Sequence, residues 1–521
     1  MLKKFIEAYN AYKINIMQRS IFYRFSLEKR GGILNPDKFL TDPWSGNPAI
    51  GKDILNNIVW KSGGESDLMA LLASSTDDEF AYSFAWIRHL QAVGGNGSMR
   101  LTRSFILTFI NNYRKTKAFW LHLNSWSIPI IGERLVNWMF SYSFFASGSN
   151  DSFQKIVLSS IVEQFSHLWK CYGAEPNEYA RLTALKAIVA CLCSMQNAQP
   201  AKIRKAIREI KGITENCLDS TGMVINRNPE DQFNMFKNLI EIRFVSKNAG
   251  IELSKQIFVD ALAKMAACLR YLRLGDGKLS NLIGNGGYLS SQGLTPTRQM
   301  IDTALSVVES KNSGPVTISG FTRLATKKII LIVNTKPCHL RSQFHNPSEP
   351  GLNIFDFEAS FGLCRMINRA DITMLFNGLR IKIGKSAKYI SQIKHERGEL
   401  HFEGEVQQRS RYFDFNVQRK IAINLKSEKI RGLDTAQASA PFQAFPRFVF
   451  DRQTTIKEIH SRSVLIMHGN SGYILSIYQR SQDCELSIGQ HSANSLPTVE
   501  ICYPATNICD VQIAWAIEST P

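Results

Sequence analysis

Arg227 sits in the stretch of this sequence that carries the clearest chemical proposal, D-S-T-G-M-V-I-N-R-N-P-E-D-Q-F-N-M-F-K-N-L-I-E-I-R-F, Asp219 to Phe244. A guanidinium is a planar fork of donors that matches a carboxylate oxygen for oxygen, so an arginine held at a surface reads as an anion grip. Asp219 to Gly222 reads as a turn and Met223 to Asn226 as a short extended piece. Asn228 then suits an N-cap and Pro229 the first helical position. Glu230 and Asp231 put negative charge where the helix dipole favours it. Phe233, Phe236, Leu239, Ile240 and Phe244 recur at helical spacing and predict a buried stripe, which leaves Arg227 at the mouth of the helix. The same pattern also fits a capped structural helix that holds no ligand.

Tryptophan is the second chemical signal. Seven of the eight fall in the first 170 residues: Trp44, Trp60, Trp86, Trp120, Trp126, Trp138 and Trp169. An indole face can carry a sugar ring and its N–H can bond a hydroxyl, although a single tryptophan is more often core. The formal net charge is +18, which suits polyanionic partners such as acidic glycans, nucleic acid or anionic lipid. Basic residues scattered over solvated faces would give the same sum, and no long Lys/Arg block is present. Nucleic acid is not expected, since no helix-turn-helix, zinc or RNP signature accompanies the charge. The loop R-L-G-D-G-K-L-S-N-L-I-G-N-G-G, Arg273 to Gly287, is not a phosphate loop, because Lys278 lacks the glycine spacing before it and a Ser/Thr after it. The ten cysteines contain no C-x-x-C pair. No metal site, disulfide framework or cofactor is expected.

The elements that would position these residues change type once along the chain. Residues 80–310 read as successive amphipathic helices: Glu79–Val93, Met99–Tyr113, Asp151–Tyr172, Glu178–Cys193, Ala201–Cys217, Leu253–Leu274 and Pro296–Val308. Short connections predict antiparallel helix hairpins. Around Ser310–Gly314 the period switches from 3.6 to 2, and short strands with turn residues between them follow to Val511–Ile517. That pattern predicts an antiparallel sandwich. Two domains are expected, 1–312 helical and 313–521 β. The composition is that of an ordinary globular protein, 44% hydrophobic and 20% charged. The N-terminus, M-L-K-K-F-I-E-A-Y-N-A-Y-K, lacks the uninterrupted apolar core of a secretory signal, and no apolar run approaches the ~18 residues of a membrane span.

The opening stretch also resembles the D-G-G-H-x-x-R-N-P segment of heparinase II/III-like proteins, a family of bacterial polysaccharide lyases. Further segments resemble that family in order along the chain. W-S-I-P-I-I-G-E-R-L-V-N-W, Trp126–Trp138, is similar to its W…G-R-R…N-W stretch. Asn177 matches the asparagine of an N-H pair, and Gly275 to Gly287 resembles a G-D-G…F-N-G loop. E-P-G-L-N-I-F-D-F-E is similar to H-A-G-x-L-x-F-E, with Phe357 and Glu358 matching. Arg419, Gly432 and Asp434 match H-R-R…G-x-D, and Arg447 and Phe448 match R-F-H-L. The resemblance implies an incomplete α/α toroid followed by an antiparallel β-sandwich, an acidic polysaccharide as partner, and a bacterial cell-envelope or periplasmic setting, with the cytoplasm as the alternative where no leader is seen.

In that family the reaction is β-elimination at a uronic acid. One group neutralises the C6 carboxylate, a base takes the C5 proton, and an acid protonates the departing O4. The resemblance gives carboxylate binding to Asn177 and Arg227, with Arg134 as a further candidate and Asn228 beside them, and places Arg134 and Trp138 in the groove. Asn177 also reads as a plain helix cap. Five positions where the family has histidine carry Glu178, Val224, Gly351, Gln418 and Val449 here, and Asp231 stands where some relatives have a catalytic tyrosine. Val, Gly and Gln cannot exchange protons at neutral pH. The remaining acid–base candidates are Tyr179, Tyr288 and His345. Two readings follow: a lyase with altered catalytic residues, or a non-catalytic protein that binds acidic glycan or the cell envelope.

Overall fold

The structure is a computed structural model, and it describes Tyr23, Leu27 and residues 32–61, 78–115, 124–197, 199–251, 255–282, 298–308, 318, 320–336, 355–369, 372–376, 379–380, 387–409, 414–427, 429–444, 447–479, 484–491, 496–502 and 508–520. Contacts divide the chain into two compact units: residues 1–225, 231–266 and 290–311 form the first, and residues 226–230, 267–289 and 312–521 the second.

The first unit is helical. In chain order its described helices are α1 (Pro48–Lys61), α2 (Asp78–Tyr82), α3 (Ile87–Val93), α4 (Gly95–Lys115), α5 (Ile128–Phe140), α6 (Tyr142–Ala146), α7 (Asp151–Cys171), α8 (Glu178–Cys193), α9 (Pro200–Cys217), α10 (Pro229–Asn248), α11 (Lys255–Tyr271) and α12 (Arg298–Ser306). The starts of α10 and the end of α11 fall in residue ranges of the second unit. Local chemistry sets several of these boundaries. Asn150 caps α7 by accepting from Phe153 N at 2.8 Å, and Pro200 opens α9. Gly132 lets α5 pack onto α8, since a Cβ there would lie 2.8 Å from the Thr183 carbonyl oxygen.

Glu79–Val93 is not one helix. The chain breaks at residues 83–86, where Phe84 takes a left-handed backbone, φ 58°, and Trp86 Nε1 donates to Ala81 O at 3.0 Å. Packing wins over helical continuity here: the Phe84 ring stands edge-on to Trp138 at 5.2 Å and to Phe109 at 5.5 Å. Phe84, Trp86, Phe105, Phe109 and Trp138 are buried together, so both aromatic rings of the break lie in the core. Phe244, expected to end the buried stripe of α10, is exposed, whereas Phe233, Phe236, Leu239 and Ile240 are buried.

The second unit is built on two antiparallel sheets. The seven-stranded sheet runs, in spatial order, Phe321–Ala325, Ile329–Asn334, Phe357–Phe361, Cys364–Arg369, Arg447–Phe450, Leu496–Cys502 and Glu485–His491. The ten-stranded sheet runs Thr454–His460, Ser463–His468, Ser471–Gln479, Ile508–Ser519, Lys429–Ala444, Phe415–Asn424, Glu399–Gln408 and Lys388–Glu396. Two further strands, Ile372–Phe376 and Leu379–Arg380, pair off this path. Burial alternates along strands such as Phe415–Asn424, and the inward residues of both sheets meet in one apolar core that includes Phe357, Phe402, Ile421, Phe448, Val464 and Trp515. That is the sandwich expected from the period of 2.

Candidate functional site

Asn177, Glu178 and Tyr179 open α8. Asn177 Oδ1 accepts from the amides of Tyr179 at 2.9 Å and Ala180 at 3.3 Å, so its side chain caps the helix. Glu178 accepts from Cys217 Sγ at 3.2 Å and from Asn216 Nδ2 at 3.5 Å, both at the end of α9. Burial, followed by the Glu178 carboxylate, pushes the Cys217 thiol up and keeps it protonated. Tyr179 is half-buried. Burial raises its phenol far above the ordinary value, and Cys217, Asp231 and Glu178 add to the rise.

Val224 comes to the same place. It bridges Leu218, and Ile225 N donates to Cys217 O at 2.9 Å. The Val224 side chain is fully buried, and its amide donates to Gln232 Oε1 at 2.8 Å. Two sequence-distant positions of the resemblance, 178 and 224, therefore converge on the C-terminal end of α9. The group gathered there is a carboxylate, a protonated thiol and a phenol. The thiol and the phenol are held protonated and can offer protons, and the carboxylate accepts hydrogen bonds.

Arg227, in the second unit, is not an open fork. It is buried in a left-handed conformation, φ 58°. Nη1 donates to Gly320 O at 3.1 Å and Asn334 Oδ1 at 3.0 Å, and Nη2 donates to Lys336 O at 2.9 Å. Its guanidinium also lies 5.6 Å from the Phe321 ring centroid. The donors expected to meet a substrate carboxylate are satisfied by backbone and amide oxygens. Asn228 caps α10, accepting from Glu230 N at 2.8 Å.

Arg134 and Trp138 are core residues rather than groove residues. Both side chains are fully buried. Arg134 Nε donates to Gln164 Oε1 at 2.7 Å, and Nη1 donates to Tyr82 O and Ser125 O, each at 2.9 Å. Its guanidinium lies 4.4 Å from the Phe109 ring centroid. Burial lowers its pKa, but a guanidinium remains charged at physiological pH. Of the other tryptophans described, Trp44, Trp86, Trp126 and Trp515 are also buried, whereas Trp169 keeps part of its ring exposed. Tyr288, His345 and Gly351 lie outside the described residues.

The matched residues of the second unit form two ionic supports. Glu358, fully buried, pairs with Arg365 and accepts from Ser280 Oγ at 2.7 Å and Asn281 N at 2.6 Å. Asp276 completes that group with Arg365 Nη1 at 3.3 Å. Arg419 grips Asp434 through two bonds, 2.7 and 2.9 Å, and Trp515 Nε1 donates to the same carboxylate at 3.0 Å. Gly432 is required beside them, because a Cβ would lie 2.0 Å from the Trp515 ring. Where histidine was expected, Gln418 donates to Glu405 Oε1 at 3.1 Å and Val449 is buried.

One ionic group carries little signal in the sequence. Lys186 is buried in α8 and lies 2.7 Å from both Glu133 on α5 and Glu241 on α10. Lys237 reaches the same two carboxylates at 3.5 and 3.4 Å, and Trp44 Nε1 donates to Glu241. Lys237 and Glu241 are spaced i, i+4, a visible signal; nothing local marks Lys186 as their partner. Among the described residues no cluster of His, Cys, Asp and Glu is arranged to hold a metal ion, and no helix is long and apolar enough to cross a membrane.

No family model matches the sequence, and no curated protein matches it. Solved structures do. A heparinase III structure aligns over 85% of this chain and 76% of its own, with a TM-score of 0.55 at 11% identity. A mutant of heparan sulfate lyase HepC from Pedobacter heparinus aligns over 96% and 87%, with a TM-score of 0.50 at 12% identity. A further heparinase III gene product aligns over 94% and 85%, with a TM-score of 0.51 at 11% identity. The chain therefore has the heparinase III fold, an incomplete α/α toroid followed by an antiparallel β-sandwich.

Proposed function

We propose that this chain is a polysaccharide lyase-like protein that binds a uronic-acid-containing glycan and carries out β-elimination slowly or not at all. One observation carries the reading. At the described positions where the resemblance expects histidine, the side chain is either buried and apolar, as at Val224 and Val449, or tied into other bonds, as at Glu178 and Gln418. Losing a positioned acid or base typically removes ~10²–10⁴ in rate. The residues that support the fold, by contrast, are all kept and all bonded: Arg227, Glu358, Arg419 and Asp434. The acidic-glycan partner is supported by the names of the structural neighbours, which act on heparan sulfate or heparin, and by the net charge of +18.

A lyase that relies on Tyr179 is the second reading. Burial and the adjacent carboxylates keep that phenol protonated, so it suits the acid role and not the base role. Incubation with a panel of uronic-acid polysaccharides separates the readings. Retention on an acidic glycan, weakened by salt, with no rise in the ultraviolet absorbance of unsaturated product, is the expected result. Steady product formation overturns the proposal, and its loss in Tyr179→Phe then assigns the proton transfer to Tyr179.

A further inference from the structure

Helix α9, P-A-K-I-R-K-A-I-R-E-I-K-G-I-T-E-N-C, carries five cations and two carboxylates. Its buried face is Ile203, Ala206, Ile210, Ile213, Thr214 and Cys217, a regular apolar stripe. Arg204, Arg208 and Lys211 follow one another at i, i+4 and i+7 on the opposite side, and all three are exposed. At 1.5 Å per residue that ridge is about 10 Å long. Lys202 and Lys205 lie on the adjoining flank, their ammonium groups 5.6 and 5.5 Å from the Trp169 ring centroid. Trp169 is in turn packed against Phe165 and Tyr172. Of the two acids, Glu209 accepts from Tyr172 Oη at 2.9 Å and lies 3.9 Å from Lys205, while Glu215 lies 3.9 Å from Lys211.

We propose that this face of α9, with Trp169 at its flank, is a binding surface for an acidic polysaccharide that feeds the site at the end of the same helix. It rests on the acidic-glycan reading and gives that reading a location. An exposed helix face with three cations in a row offers repeated charge along a line, which suits a polymer with repeated carboxylates or sulfates. Trp169 acts as a positioning residue: its ring holds two flexible lysine side chains near one spot, so less rotamer freedom is lost when an anion binds. Lys211 precedes Cys217 by six residues, about 9 Å of helix, so the ridge runs toward the Glu178–Tyr179–Cys217 group. A lipid surface fits less well, because none of the large exposed apolar side chains described lies on α9.

The test is affinity of the full chain for heparin and for an uncharged glycan over a range of salt. Four proteins are compared: the unaltered chain, Arg204→Glu/Arg208→Glu/Lys211→Glu, Trp169→Leu, and a control with the same charge change, Lys426→Glu/Arg452→Glu/Lys457→Glu. The helix variant should bind heparin about tenfold more weakly or worse, equal to ~1.4 kcal/mol or more, with a shallower salt dependence. Trp169→Leu should weaken binding a few-fold with the salt dependence unchanged. The control should stay within about twofold of the unaltered chain. Circular dichroism and melting temperature establish that each variant is folded. Heparin binding that survives in the folded helix variant overturns this inference and leaves the acidic-glycan reading standing. Equal loss in the control does the same, since the charge then acts without location. No heparin binding by the unaltered chain, or tighter binding to a single-stranded nucleic acid, overturns both.

Discussion

Arg227 shows how a residue can be legible in type and illegible in role. Its left-handed backbone and its three acceptors make it an anchor within the second unit. Arg227→Ala removes three hydrogen bonds, although Gly320 O keeps Thr335 N and Asn334 Oδ1 keeps Lys336 N, and should cost on the order of 1–3 kcal/mol in denaturant unfolding. Lysine should not rescue it, because one ammonium cannot reproduce the fork. Glycine should be milder than alanine by about 1 kcal/mol, since it relieves the left-handed backbone. An alanine variant of unchanged stability would mean that these bonds do not support the second unit. The caps Asn177 and Asn228 were readable because their partners are two or three residues away. The partners of Arg227 lie 93 to 109 residues along the chain, where no local pattern reaches. Arg134 differs from the groove position that the resemblance implies for the same reason: its partners Tyr82, Ser125 and Gln164 come from three separate segments of the first unit.

Helices α5, α8 and α10 are joined by the Lys186 group, and this predicts a pH dependence. Burial opposes ionisation of Glu133 and Glu241, but the ammonium groups of Lys186 and then Lys237 outweigh it and hold both carboxyls below the usual range. A carboxyl with a depressed folded pKa gives stability that is present above its unfolded value. For Glu133 that stability is lost as pH falls from about 4.5 toward about 2. Burial likewise opposes the charge of Lys186, yet the two carboxylates raise its pKa, so its share is present below the ordinary lysine range and is lost only at strongly alkaline pH. Urea unfolding across pH 2–5 should show a steeper acid loss in the unaltered chain than in Glu133→Gln. Lys186→Met leaves Lys237 alone with two carboxylates and should cost roughly 3–5 kcal/mol at neutral pH. Equal acid slopes in the two proteins would remove this group from the account. Helix periodicity located α9 to within a residue because its apolar face is regular, whereas α8 is buried all round from Leu182 to Leu192 and its start is marked by the Asn177 cap instead. Periodicity failed at residues 83–86, where aromatic packing around Phe84 overrides the local preference.

At the scale of the whole molecule, the switch from helical to strand period near residue 312 was plain, because each half buries its apolar residues at one regular spacing. Two segments that lie earlier in the chain were not assignable that way. Residues 226–230 and 267–289 belong to the β unit, although they are bounded by helical sequence. Their bonds give the reason. Tyr271 O and Arg273 O accept from Arg323 Nη1, Gly275 N donates to Ser360 Oγ at 2.8 Å, and Ser280 and Asn281 both donate to the buried Glu358. None of these contacts has a sequence signature beyond the D-G turn at Asp276. A fragment cut at the change of period, 313–521, therefore lacks donors for a fully buried carboxylate and acceptors for Arg323. The charge of Glu358 would be balanced by Arg365 alone, and an under-bonded buried ion is strongly destabilising. We expect 267–521 to unfold cooperatively and 313–521 to be less stable by several kcal/mol or to aggregate. Glu358→Gln should widen the gap between the two fragments, since 313–521 also lacks the Asp276 and Leu279 oxygens that Arg365 otherwise bonds. Equal stability of the two fragments in urea would show that the segment 267–289 is carried by the β unit without supporting it.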